Sequence, residues 1–185
     1  MKQGSVVKQG SLDPLTGLKP ELLVKLASTL AGCTAKGLLF KPYFGLRDPV
    51  TQAKLWRQSR AKPVIDSRIL NLRNIGAPFI ADCLEKAGPS TGQWATNAIP
   101  GLSWHQYGEA IDCFLLDENG KAIWDSPSYL PFGEVAEGCG LFWGGRFSRP
   151  DVDHLQLRKD EPQAVFGSMS AISSALALAW PQALA

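Results

Sequence analysis

Two short stretches hold the only histidines of this 185-residue chain, and each histidine has carboxylates close by. SWHQYGEAID, residues 103–112, contains His105 and, seven positions later, Asp112. PDVDHLQL, residues 150–157, contains Asp151, Asp153 and His154. Two imidazoles and one carboxylate supply three protein ligands, the number a catalytic zinc ion uses when its fourth position is left to water. Zinc lowers the pKa of such a water from 15.7 to about 7. A further carboxylate is then needed to accept and pass on protons. Asp151 and Asp153 both qualify, and strand parity does not separate them, because both stand at odd offsets from His154.

The elements around these residues set their directions. EAIDCFLLD alternates as a strand, with Ala110, Asp112 and Phe114 on one face and Ile111, Cys113 and Leu115 on the other. Asp112 thus interrupts an apolar strand, and a buried carboxylate is costly unless it is paired or bound to metal. His105 lies on the loop entering this strand, from which it can fold back toward Asp112. In DHLQLR, His154 and Gln156 share one face while Leu155 and Leu157 share the other. The rest of the second half reads as hairpin-linked strands: ENG turns into KAIWD, YLPFGEVAEGCG is a short helix with Gly140 just beyond it, and LFWGG is a strand.

Helices dominate the first half. KPELLVKLASTLAGC has Pro20 in its first turn, Glu21 at its positive end, leucines at helical spacing and Gly32 as a stop. GLLFKPYFGLR, residues 37–47, suits an edge or bulged strand because of its proline. DPVTQAKLWRQSR opens on Asp48 as N-cap and Pro49 at the first helical position, with Val50, Leu55 and Trp56 as buried residues. A helix at 67–87 is kinked or split at Gly76 and Pro78, and 88–103 is a loop. Helices first and strands later predict an α+β fold with a small antiparallel sheet and helices packed on one side.

The composition, 45% hydrophobic and 19% charged with a net charge of +2, fits one globular domain. The charge balance predicts no nucleic-acid partner. Three segments are expected: an irregular lead-in at 1–17, a catalytic domain at 18–161, and an uncharged apolar C-terminal tail at 162–185, helical to residue 179 and packed on the domain. Cys33, Cys83, Cys113 and Cys139 form no C-x-x-C pair and read as buried free thiols. The start of the sequence has no apolar core of a signal peptide, and the tail is interrupted by serines, Gly167 and Pro181. The expectation is synthesis in the cytoplasm, no integral membrane span, and a monomer.

Taken together, Ser103-x-His105-x-x-Gly108-x-Ala110-x-Asp112, the GLFWGG after a short helix, and Asp151-x-x-His154 resemble the M15 zinc peptidases. Upstream, GLRDPVTQ resembles that family's Gly-x-Arg-Thr/Ser-x-x-x-Gln segment. The resemblance runs over roughly residues 37–158. It implies a hedgehog/DD-peptidase-like fold and one zinc ion held by His105, Asp112 and His154. It further implies Asp151 as general base and acid, Arg47 polarising the scissile carbonyl, and Gln52, Ser103 and Trp143 in the substrate cleft. The substrate class it implies is the stem peptide of bacterial peptidoglycan. The expected activity is an endolysin-like cleavage of the L-Ala-D-Glu bond, reached after release by a lysis or effector route. A D-Ala-D-Ala carboxypeptidase and a non-catalytic zinc-containing wall-binding module are the alternatives. One departure from the pattern matters: Gln156 stands where the family usually has glutamate, which keeps hydrogen bonding but removes a charge.

Overall fold

The computed structural model describes residues 13–124 and 126–185. Most of the predicted lead-in, residues 1–12, lies outside the described residues, and residues 13–17 form a turn. Helix α1, Pro20–Thr34, buries Leu22, Leu26, Thr29 and Cys33, positions that recur along one stripe. It does not stop at Gly32. The chain runs through that residue, whose missing Cβ lets Val135 approach, and turns instead at Gly37. Strand β1, Leu39–Phe44, lies at a sheet edge, where Pro42 removes no needed ladder hydrogen bond, and its register slips between Pro42 and Phe44. Helix α2, Pro49–Arg57, starts as its sequence dictates: the Asp48 carboxylate accepts the Thr51 N–H at 2.9 Å.

The predicted 67–87 helix is two. Helix α3, Lys62–Asn74, begins earlier, with Pro63 in its first turn, and α4, Pro78–Lys86, follows after Gly76 takes a positive φ. Strand β2, Ala110–Leu116, pairs antiparallel with β1, with β3 (Ala122–Ile123) and with β5 (His154–Gln156). Helix α5, Leu130–Gly138, leads into β4, Phe142–Trp143, which pairs with β5. The tail is also two helices, α6 (Pro162–Phe166) and α7 (Met169–Ala179). Gly167 at positive φ breaks it, and the Ser168 hydroxyl restarts it by accepting the Ala171 N–H.

This is the α+β architecture expected, with an antiparallel sheet ordered β1-β2-β5-β4. One apolar cluster joins α1 and α5 to the Ile111, Cys113 and Leu115 face of the sheet, through Leu22, Leu26, Phe40, Phe132 and Leu155. A second joins α2, α3, α4 and α7 through Trp56, Leu72, Ile80, Leu84, Ile172 and Leu176. Each such side chain contributes about 1.5–3 kcal/mol when fully buried. The tail is therefore part of a core and not an appendage. Cys33, Cys83 and Cys113 are buried free thiols and Cys139 is half-buried. No helix among the described residues is long and apolar enough to cross a membrane.

Candidate metal and catalytic site

The sheet face opposite α1 and α5 carries the histidines. Asp112 on β2 and His154 on β5 are direct cross-strand partners, so their side chains rise side by side from the same face. His154 Nδ1 lies 2.9 Å from Asp112 Oδ1. His105 arrives from a single 3-10 turn, Trp104–Tyr107, that returns to β2 through Gly108. Gly108 has φ +66°, and a Cβ there would meet the Gly17 carbonyl at 2.4 Å, so only glycine closes this turn. His105 Nε2 then lies 3.2 Å from both Asp112 Oδ1 and His154 Nδ1. All three residues are buried.

The other nitrogen of each ring is fixed from outside. His105 Nδ1–H donates to the Gly45 carbonyl at 2.7 Å, which turns the Nε2 lone pair inward. His154 Nε2–H donates to Gln156 Oε1 at 2.9 Å, and the Gln156 amide in turn donates to the Arg158 carbonyl, which sets the orientation of the side chain. Glutamine thus performs the accepting half of the work that a glutamate would do here. Burial pushes the His105 pKa down, so it is neutral. Burial also opposes charge on His154, but its bond to Asp112 outweighs this and holds the pKa at about 9. Asp112, between the two rings, is held far below the usual carboxylate range despite its burial, by His105 and His154. The three facing atoms suit a divalent cation. Ligands about 2.0–2.1 Å from a tetrahedral zinc stand roughly 3.3 Å apart, close to the spacings observed. A cation there would take the place of the His154 Nδ1 proton.

Arg47 reaches the same point from the start of α2. Its backbone N–H donates to the His105 carbonyl, its Nη2 lies 3.4 Å from Asp112 Oδ2, and its guanidinium stacks on Phe44 at 4.3 Å. Its buried Nε has no partner among the described residues. Asp151 and Asp153 both precede His154 on the loop entering β5. The Asp153 carbonyl is tied to the Cys113 N–H. Burial, then Asp112 and Asp151, raise the Asp153 side chain to about 8, so it holds a proton near neutrality. Asp151 is exposed, with its backbone anchored on the Gly144 carbonyl. A Cβ on Gly144 would meet the Asp151 carbonyl at 2.4 Å, which accounts for a glycine there.

Two residues expected in the cleft are elsewhere. Gln52 is fully buried: its Oε1 accepts from Arg47 Nη1 at 3.0 Å and from Gln106, and its amide donates to the Ala98 carbonyl. It holds Arg47 and lines no cleft. Trp143 packs in the first core, and its indole N–H braces the loop carrying Asp151 by donating to the Val152 carbonyl at 2.7 Å. Ser103 caps the 3-10 turn with its backbone, and its carbonyl accepts from the Gln106 N–H. Sequence reasoning did not single out Gln106 or Trp180. The Trp180 indole donates to the Gln106 carbonyl at 3.0 Å, so the C-terminal segment grips the turn that presents His105. Only the capping of a tertiary contact defines these roles, and no local spacing announces it.

Comparison with known proteins gives the following. Residues 96–157 match a family model of M15 peptidases described as D-alanyl-D-alanine carboxypeptidase. A curated relative, the peptidoglycan L-alanyl-D-glutamate endopeptidase CwlK of Bacillus subtilis (strain 168), is 36% identical over 76 residues, covering 36% of this chain and 46% of the relative. The chain thus spans about half the length of that relative. The L-Ala D-Glu endopeptidase ChiX of Serratia marcescens is similar in structure at 16% identity and TM-score 0.47, over 78% of this chain and 84% of the other. A vancomycin-resistance D,D-pentapeptidase, VanY, in complex with Zn(II), is similar at 16% identity and TM-score 0.46, over 90% and 89%.

Proposed function

We propose that this chain, an M15-type peptidase over residues 96–157, is a zinc-dependent hydrolase of the peptidoglycan stem peptide that cuts between L-Ala and D-Glu. The observation that carries the reading is the convergence of His105 Nε2, Asp112 Oδ1 and His154 Nδ1 at 2.9–3.2 Å, each turned inward by its own outer partner or strand register. The donor set, two imidazoles and one carboxylate, fits zinc. Zinc, when bound, supplies a Lewis acid and a water acidic enough to ionise near neutrality.

The chain's own residues do the rest. Asp151 takes the proton of the attacking water and delivers it to the leaving amine. The loop that presents Asp151 is held by its own N–H on the Gly144 carbonyl and by Trp143 on the Val152 carbonyl. Arg47 is always charged, fixed by Gln52 and Phe44, and its guanidinium stabilises negative charge growing on the scissile carbonyl oxygen. The choice of bond follows the activity named for CwlK. The description of the family model favours the second reading, removal of a terminal D-alanine.

Asp151→Ala tests the chemistry. It should lower kcat by at least about 100-fold, the usual contribution of a positioned acid–base group, and leave one zinc per chain by metal analysis. A variant as active as the parent would remove Asp151 from the mechanism.

A further inference from the structure

The sheet face that holds Asp112 has no helix of the first core packed on it, and it continues past the histidines as a strip of aromatic rings. Phe44 lies 5.9 Å from the His105 ring, Tyr43 lies 6.2 Å from Phe44, and Tyr43 meets Trp124 edge-on at 5.1 Å. Phe114, two residues beyond Asp112 on the same face of β2, closes the group at 6.0 Å from Tyr43 and 5.6 Å from Trp124. Phe44, Tyr43 and Phe114 are half-buried, and Trp124 is 44% exposed. The register slip in β1 falls between Pro42 and Phe44, at Tyr43, and so delivers this ring to the strip. None of the four rings is needed to hold a metal or to move a proton.

We propose that this strip is a glycan subsite, which takes the apolar face of a pyranose ring of the peptidoglycan strand while the stem peptide lies across the histidines; the proposal rests on the peptidoglycan reading above. The chemistry fits a sugar. Aromatic faces accept the C–H face of a pyranose, the hydroxyls on its rim stay in water, and the tyrosine hydroxyl and tryptophan N–H offer hydrogen bonds at the edge. The Arg47 guanidinium lies over Phe44 at 4.3 Å, so the rings open to a sugar are Tyr43, Phe114 and Trp124, with Lys41 opposite Phe114 at their edge.

The reach also fits, and it selects a bond. The stem peptide joins the sugar through a lactyl link to its first residue, L-Ala. From the L-Ala carbonyl to the sugar is about two residue lengths, roughly 7 Å when extended. Phe44 and Tyr43 cover that distance from His105. Cleavage at a terminal D-Ala, three residues further along, would move the sugar about 10 Å beyond this position. A sugar on the strip therefore favours cleavage next to the glycan.

The test compares hydrolysis of glycan-attached stem peptides with that of free stem peptides of the same sequence, for the parent and for Trp124→Ala. The parent should prefer the glycan-attached substrate in kcat/KM by about tenfold, as expected for a stacking contact of roughly 1–1.5 kcal/mol. Trp124→Ala should lose that preference and act on free peptide within about twofold of the parent, and Trp124→Phe should keep most of it. Equal loss on both substrates, or no preference in the parent, would overturn the subsite. Co-sedimentation with peptide-free glycan strands reads binding alone: the parent should bind and Trp124→Ala should not, and parent binding that is absent or unaffected by the substitution also overturns it. If the parent cuts neither substrate, the hydrolase reading fails while the sedimentation result still decides the subsite.

Discussion

Gln156 shows how one side chain sets the chemistry of another. Its Oε1 accepts the His154 Nε2–H, and its amide is held by the Arg158 carbonyl, so His154 has only Nδ1 to offer toward Asp112 and His105. Removing that acceptor leaves a buried N–H unpaired and frees the ring to turn. Gln156→Ala should weaken zinc binding by about 10–100-fold, the usual cost of losing a hydrogen-bond partner behind a metal ligand. Gln156→Glu keeps the acceptor, adds charge, and should bind zinc at least as tightly as the parent. Competition against a chromophoric chelator measures both. Unchanged affinity in Gln156→Ala would mean that the ring is held by strand register alone. Half of this contact is legible in the sequence: alternation along β5 puts His154 and Gln156 on one face. The orientation of the amide was not legible, because it depends on a carbonyl beyond the strand.

Between elements, the turn carrying His105 is clamped from several sides. Trp180 grips it from the tail, Gln106 ties it to Gln52, and Glu109 fixes its exit to β2. The Glu109 side chain is buried and bonded to Arg158 and to Lys19, which brings the start of α1 against the sheet. Burial alone would raise its pKa, but Arg158 and Lys19 together hold it below the ordinary value of 4.5. A depressed carboxylate contributes stability that is fully present above its unfolded pKa and is lost as the pH falls through the lower folded value. Glu109→Gln should therefore cost about 2 kcal/mol near neutrality, less than a wholly buried pair would because both cations are half exposed. The gap to the parent should shrink in acid, below about pH 4. Urea melts at pH 7 and pH 3 check this, and a gap of the same size at both would rule out the charge as its source. Element identities were readable where local chemistry decides them, as at Asp48-Pro49 and at the proline of β1. They were misread where packing decides, as at Gly32, which serves the approach of α5 and does not end its helix. The split of the tail falls at Gly167, an interruption visible in the sequence, where the apolar run of 162–179 favours one continuous helix.

At the scale of the whole molecule, two apolar clusters carry the site between them. One supplies the sheet with Asp112 and His154, and the other supplies α2 with Arg47 and the tail that holds the His105 turn. The three inward-facing atoms were recoverable from strand parity, two histidines and the resemblance. Gln52 and Trp143 were misassigned to the cleft because a motif position says that a residue matters and not which way it points. The most direct measurement is digestion of purified peptidoglycan with and without a zinc chelator, followed by mass spectrometry of the released fragments. The account predicts fragments with a new L-alanine carboxyl end and a free D-Glu amine, formed only when zinc is available and restored when it is added back. Release of free D-alanine alone would contradict the bond assigned here, and absence of any zinc-dependent product from several wall types would contradict the hydrolase itself.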